Sequence, residues 1–100
     1  MNYQYIPAVV QAVAGKDYLI YCYFDDGKIT CMDMKPLIGK GVFAQIEDPA
    51  VFAGTLTVMH ETAAWDISGR RDPSNCIDLD PITLYEQPAV SDPLGGVSIA

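Results

Sequence analysis

Tyr18 to Asp33 reads YLIYCYFDDGKITCMD, and the pairing of its two halves decides the fold. Tyr18 to Phe24 carries the strongest strand signal in the chain, Lys28 to Asp33 follows it, and Asp26-Gly27 between them is a strong hairpin signal. With Asp26-Gly27 as a two-residue turn, Phe24 faces Ile29, Cys22 faces Cys31 and Ile20 faces Asp33. Ile20, Cys22, Phe24, Ile29 and Cys31 then share a core face, and Leu19, Tyr21, Tyr23, Thr30 and Met32 share an amphipathic one. A three-residue turn sets Phe24 against Lys28 and mixes polar with apolar residues on each face, so the even loop is the expected one.

Outward from the hairpin, Ile6 to Val13 (IPAVVQAV) reads as a preceding strand that ends before Gly15, with Pro7 placing its start at a sheet edge. Downstream, Pro36, Gly39, Gly41 and Pro49 keep any helix between Met34 and Ala53 to a turn or two. Asp48-Pro49 supplies a cap followed by a proline in the first helical position, so Pro49 to Ala53 is expected as a short helix. Thr55 to Met59 and Ala63 to Ile67 form a second hairpin. A turn at Glu61-Thr62 sets Val58 opposite Trp65 and Leu56 opposite Ile67. Ser68 to Asn75 is a polar loop and Cys76 to Leu79 a brief extended segment. Asp80-Pro81 repeats the capping device for a helix through Glu86, which Pro88 stops. The expected fold is α+β: a curved antiparallel sheet of about five strands, made of two hairpins and an N-terminal strand, with short capped helices. Residues 1–87 form this single domain, and residues 88–100 are expected to be a flexible tail.

Half of the 100 residues are hydrophobic, enough for a core in a chain of this length. Thirteen Asp and Glu against six Lys and Arg give a net charge of −7. That balance disfavours a phosphate backbone or an anionic membrane and favours basic partners. No Lys or Arg follows Arg71, so negative potential concentrates in the last third. Three cysteines without C-x-x-C spacing, and an opening MNYQYIPAVV that lacks the form of a secretory signal, point to a reduced, cytoplasmic protein. No apolar run approaches the ~20 residues of a membrane span.

The ordered pieces FDDG (Phe24 to Gly27), DMKPLIGKGVF (Asp33 to Phe43), IEDPAVF (Ile46 to Phe52), Trp65 and DLDPITLYE (Asp78 to Glu86) resemble a small bacterial domain family of unknown function. That family is described as similar to the N-terminal domain of an uncharacterised Nitrosomonas protein. The likeness runs from about residue 6 to residue 87. It implies an α+β fold with a curved antiparallel sheet. Some members carry a helix-turn-helix after this domain and others are encoded beside small toxin-like proteins, which implies an antitoxin-like or regulatory role. Here the link from Trp65 to Asp78 is longer than in the compact form of the family. The residues after Glu86 are too few for a helix-turn-helix, so direct nucleic-acid binding is not expected. The family offers no catalytic residues to carry over.

Candidate chemistry is sparse. Cys22 facing Cys31 could form a redox pair, but two small buried hydrophobes are the plainer reading, since a disulfide across adjacent strands is strained. His60, the lone histidine, sits at a hairpin end beside Glu61 without a catalytic partner at a telling spacing, and reads as a solvated turn residue. Asp78 and Asp80 fall on one side of an extended segment and could offer oxygens to Ca²⁺ or Mg²⁺. Helix capping by Asp80 and solvation of Asp78 already account for both, and the calcium-loop spacing is missing. Phe43, Phe52 and Trp65 read as core. Tyr21, Tyr23 and Met32 suit a protein contact, with Tyr3 and Tyr5 near the N-terminus, although a covered second sheet face explains them equally well.

The expected function is a non-enzymatic protein-binding or regulatory module without cofactor or metal, its family context pointing to a basic, toxin-like neighbour. The alternatives are a small hydrolase or metal-assisted enzyme using Asp66, Asp78, Asp80 or His60, and a homodimeric structural unit.

Overall fold

A computed structural model of the chain describes residues 6–72 and 76–94. Tyr3, Tyr5, the end of the polar loop at residues 73–75 and the last part of the expected tail, residues 95–100, lie outside the described residues. The strands are β1 (Val9–Ala14), β2 (Leu19–Phe24), β3 (Ile29–Asp33), β4 (Leu56–Met59), β5 (Thr62–Trp65) and β6 (Ile77–Asp78). Two short helices, α1 (Pro49–Gly54) and α2 (Pro81–Tyr85), and 3₁₀ segments at Lys16–Tyr18 and Gly41–Ile46 complete the regular structure among the described residues. The α+β class holds, but the single curved sheet does not. The strands form two three-stranded antiparallel sheets, ordered β1-β2-β3 and β4-β5-β6. The Val9 amide ties them, donating to the Glu61 carbonyl in the β4–β5 turn at 2.9 Å.

The first hairpin forms where expected but one residue out of register. Tyr23 faces Ile29, Cys22 faces Thr30, Tyr21 faces Cys31 and Ile20 faces Met32. The loop is Asp25-Asp26-Gly27, closed by the Phe24 amide on the Lys28 carbonyl (2.9 Å) and the Gly27 amide on the Phe24 carbonyl (3.0 Å). Gly27 has φ +95, the left-handed position that a three-residue hairpin loop gives to glycine. The mixing of faces that argued against this loop is resolved by α2. Thr30 Oγ1 donates to the Leu84 carbonyl at 2.8 Å. Lys28 Nζ donates to the Tyr85 carbonyl at 2.8 Å and lies 4.0 Å from the Tyr85 ring centroid. Two polar side chains thus reach carbonyls in the last turn of α2, where the Leu84 carbonyl also accepts from the Gln87 amide at 3.3 Å.

The core side of the first sheet is therefore Ile20, Cys22 and Phe24 with Thr30 and Met32, and its outer side is Leu19, Tyr21 and Tyr23 with Ile29 and Cys31. Met32 leaves the tyrosine face to pack against the core. Cys22 and Cys31 lie on opposite faces, so the proposed cysteine pair does not form.

The second hairpin also shifts. Leu56 faces Trp65 and Met59 faces Thr62 across a His60-Glu61 turn, whose φ values of 53 and 65 are those of a type I′ turn. Each of Thr62, Ala63, Ala64 and Trp65 is buried, because β5 is the central strand of its sheet.

Both aspartate-proline helix starts form as the sequence indicates. Asp48 Oδ1 accepts from the Ala50 amide at 2.9 Å, and Asp80 Oδ1 from the Ile82 amide at 3.0 Å. The core joins both sheets: Val9, Ile20, Cys22 and Phe24 meet Trp65 and Ile77, with Phe52 of α1, Leu84 of α2, Met34 and Ile46 closing the ends. Trp65 is fully buried, and its indole N–H donates to the Phe52 carbonyl at 3.0 Å.

Candidate functional site

Strand alternation sends Leu19, Tyr21 and Tyr23 to the outer side of the first sheet, where Val13 and Gln11 of β1 lie beside Tyr21 and Tyr23. The aromatic residues are half-buried rather than free. What covers them is the chain beyond α2. The Pro88 carbonyl accepts from the Cys31 amide at 3.1 Å, and the Val90 amide donates to the Ile29 carbonyl at 2.9 Å. Thr30 and Ala89 thereby pair antiparallel at the free edge of β3. Pairing thus continues past residue 87, where the sequence reading had begun a tail.

Asp92 then fixes the segment over the sheet. Its Oδ1 accepts from the Tyr23 hydroxyl at 2.6 Å and from the Leu94 amide at 2.9 Å. The Tyr23 phenol is pushed up to about 12, first by loss of hydration and then by its hydrogen bond to Asp92 and that carboxylate's charge. Pro93 and Leu94 form one wall of an open, largely apolar concavity of about 360 Å³ whose other wall is Val13, Leu19 and Tyr21. Gly15 belongs to it for a steric reason. A β-carbon at Gly15 would lie 2.6 Å from Tyr21 Cε2, so any other residue there would displace the ring.

The other candidate residues are engaged in local tasks. Asp80 caps α2, with Thr83 Oγ1 also donating to its Oδ2 at 3.4 Å. Asp78 is exposed on β6 opposite Ala64. Asp66, nearly buried, organises the following loop: Oδ2 accepts from the Arg71 amide at 2.9 Å and Oδ1 from Ser68 Oγ at 3.4 Å. His60 is exposed in its turn. Cys76 is raised from the usual thiol range by loss of hydration and then by the charges of Asp78, Asp66 and Asp72, a setting that suppresses the thiolate. Burial, and secondarily Cys31, pushes the Cys22 thiol up to about 12. Among the described residues, no three His, Cys, Asp or Glu side chains are arranged to hold a metal ion.

Tyr21 and Tyr23 thus share a face with a concavity, whereas Met32 is on the other side of the sheet. Sequence reasoning missed Val13, Gly15, Asp92, Pro93 and Leu94. Asp92-Pro93 did carry a signal, since its aspartate accepts the amide two residues on, as Asp48 and Asp80 do. No family model, curated protein or solved structure matches the chain. Among the described residues, no helix is long and apolar enough to cross a membrane.

Proposed function

We propose that this chain is a non-enzymatic protein-binding or regulatory module that takes a basic protein partner on the outer face of its first sheet. The observation that supports this best is the apolar concavity between Tyr21, Leu19 and Val13 and the Pro93-Leu94 wall, on a molecule with a net charge of −7. An aromatic side chain beside a shallow apolar recess suits the buried centre of an interface, and the negative charge of the molecule as a whole, with Lys16 the one cation among the described residues of the recess lining, suits a cationic partner. The resemblance to the small bacterial domain family supplies the context: a toxin-like neighbour is the partner this reading names, met in a reducing cytoplasm. The candidate acids lend less support to hydrolysis, because Asp66 and Asp80 already accept backbone amides in separate local motifs.

The test is capture of the neighbouring gene's purified product by the full chain, compared with Gly15→Ala. The added β-carbon forces the Tyr21 ring off the turn and closes part of the recess without touching the core. Binding by the wild type, weakened at least tenfold in Gly15→Ala with the fold retained, supports the proposal. Absence of binding, or equal binding by both chains, defeats it.

A further inference from the structure

Residues 88–94 are attached differently from everything that precedes them. Leu84 anchors α2 with its side chain fully buried. Beyond it, Pro88, Ala89, Val90, Ser91, Pro93 and Leu94 are all exposed, and only Asp92 is half-buried. The segment is held by two backbone hydrogen bonds to β3 and by the Asp92 carboxylate on the Tyr23 hydroxyl. It covers a strand edge with apolar side chains that stay partly exposed, Val90 at 36 % and Leu94 at 57 %, so its opening costs less than unfolding the core. Its prolines at 88 and 93 lack amide donors, which keeps its ladder on β3 short.

Resting on the binding reading above, we infer that residues 88–94 are a displaceable strap and that the β3 edge beneath them is a strand-addition site for an extended, basic segment of a protein partner. The strap itself shows what the edge accepts: an antiparallel backbone that gives a carbonyl to Cys31 and an amide to Ile29. A partner strand without prolines makes a longer ladder than the strap can. The charge of the occupant follows from the surroundings. Asp25 and Asp26 lie at one end of β3, where Lys28 is drawn off to the Tyr85 carbonyl and ring, and exposed Asp33 lies at the other, and the outgoing strap carries Asp92 away with it. A cationic segment entering there replaces an acid among acids. Tyr23 couples the two parts of the site, since the hydroxyl that holds the strap stands on the strand next to the edge.

The experiment uses the full chain, with hydrogen exchange and two synthetic octapeptides, one alternating Lys and Val and one alternating Glu and Val. In the wild type, the Cys31 and Val90 amides should exchange faster than those of β2 and β5. Asp92→Ala should accelerate Cys31 and Val90 about tenfold further, the weight of one charge-assisted hydrogen bond. It should tighten binding of the Lys-Val peptide by a similar factor, with NMR shifts centred on Ile29 to Cys31. Tyr23→Phe, which removes the same bond from the sheet side, should act in the same direction, and the Glu-Val peptide should shift nothing. Cys31 and Val90 exchanging only together with β2, or peptide affinity indifferent to both variants, overturns the strap. If the neighbour's product is bound equally by wild type and Asp92→Ala with Cys31 unmoved, the strap fails and the binding reading stands. Lys-Val binding at Ile29 to Cys31 without capture of that product supports the strap and removes the partner named above.

Discussion

Thr30 is a polar residue on a core face, 1 % exposed, and its hydroxyl is what makes that position tolerable. Thr30→Val keeps the shape but leaves the buried Leu84 carbonyl without its side-chain donor. A loss of about 1–2 kcal/mol is expected, read as a lower urea midpoint at unchanged slope. An unchanged midpoint would mean that the Gln87 amide, 3.3 Å from the Leu84 carbonyl, suffices to satisfy it. Tyr23 gives a second prediction. Its folded pKa lies above the ordinary value of 10.0, at about 12, so between these values the folded state binds more protons than the unfolded one. The stability from this group is therefore fully present below pH 10 and is lost as pH rises towards 12. Cys22 adds a loss of the same sign, so the useful quantity is the difference between wild type and Tyr23→Phe. That difference should be flat at neutral pH and shrink above pH 10 in urea titrations, and a constant difference would detach Tyr23 from Asp92.

At the scale of elements, local chemistry was legible and tertiary compensation was not. Asp48-Pro49 and Asp80-Pro81 start their helices as read, because a cap and a proline act within three residues of each other. The first hairpin was also legible as an element, yet its register moved by one because Lys28 and Thr30 reach carbonyls of α2, more than 50 residues away. No window around the turn contains that information. In the second hairpin the faces were legible but the partners lay two residues off, because β5 is buried on both sides and TAAW carries no alternation to set a register. The candidate contact face shifted accordingly: Tyr21 and Tyr23 stay on the outer side of the first sheet, Met32 turns to the core, and residues 88–90, expected within a tail, hydrogen-bond to β3. The two loops make opposite predictions. Gly27→Ala introduces a β-carbon with open space around it but at φ +95, so it should cost about 1 kcal/mol through backbone strain alone. His60 and Glu61 already occupy left-handed conformations at φ 53 and 65. Replacing them with Asn-Gly, the residues such a turn favours, should stabilise by about 1 kcal/mol in a thermal melt. A gain at Gly27, or a loss at the second turn, would contradict the loop conformations.

The whole molecule carries a net charge of −7 within a body of 35 × 35 × 26 Å. At about 10 mM salt the screening length is about 30 Å, so nearly every charge feels every other; at 1 M it falls to about 3 Å. Folding gathers these like charges and therefore works against their repulsion, which an expanded unfolded chain relieves. Sodium chloride should consequently stabilise the free protein across this range. A gain on the order of 1 kcal/mol would raise the melting temperature by about 4–8 °C for a domain of this length. The same screening must weaken attraction to a basic partner, so affinity for the Lys-Val peptide should fall over the same titration. The two responses have one cause and opposite signs, which separates them from a general effect of salt on apolar burial. That effect strengthens folding and apolar association together. A peptide affinity that rises with salt would assign the recognition to the Tyr21 recess alone and leave the acidic surroundings without a part in choosing the partner.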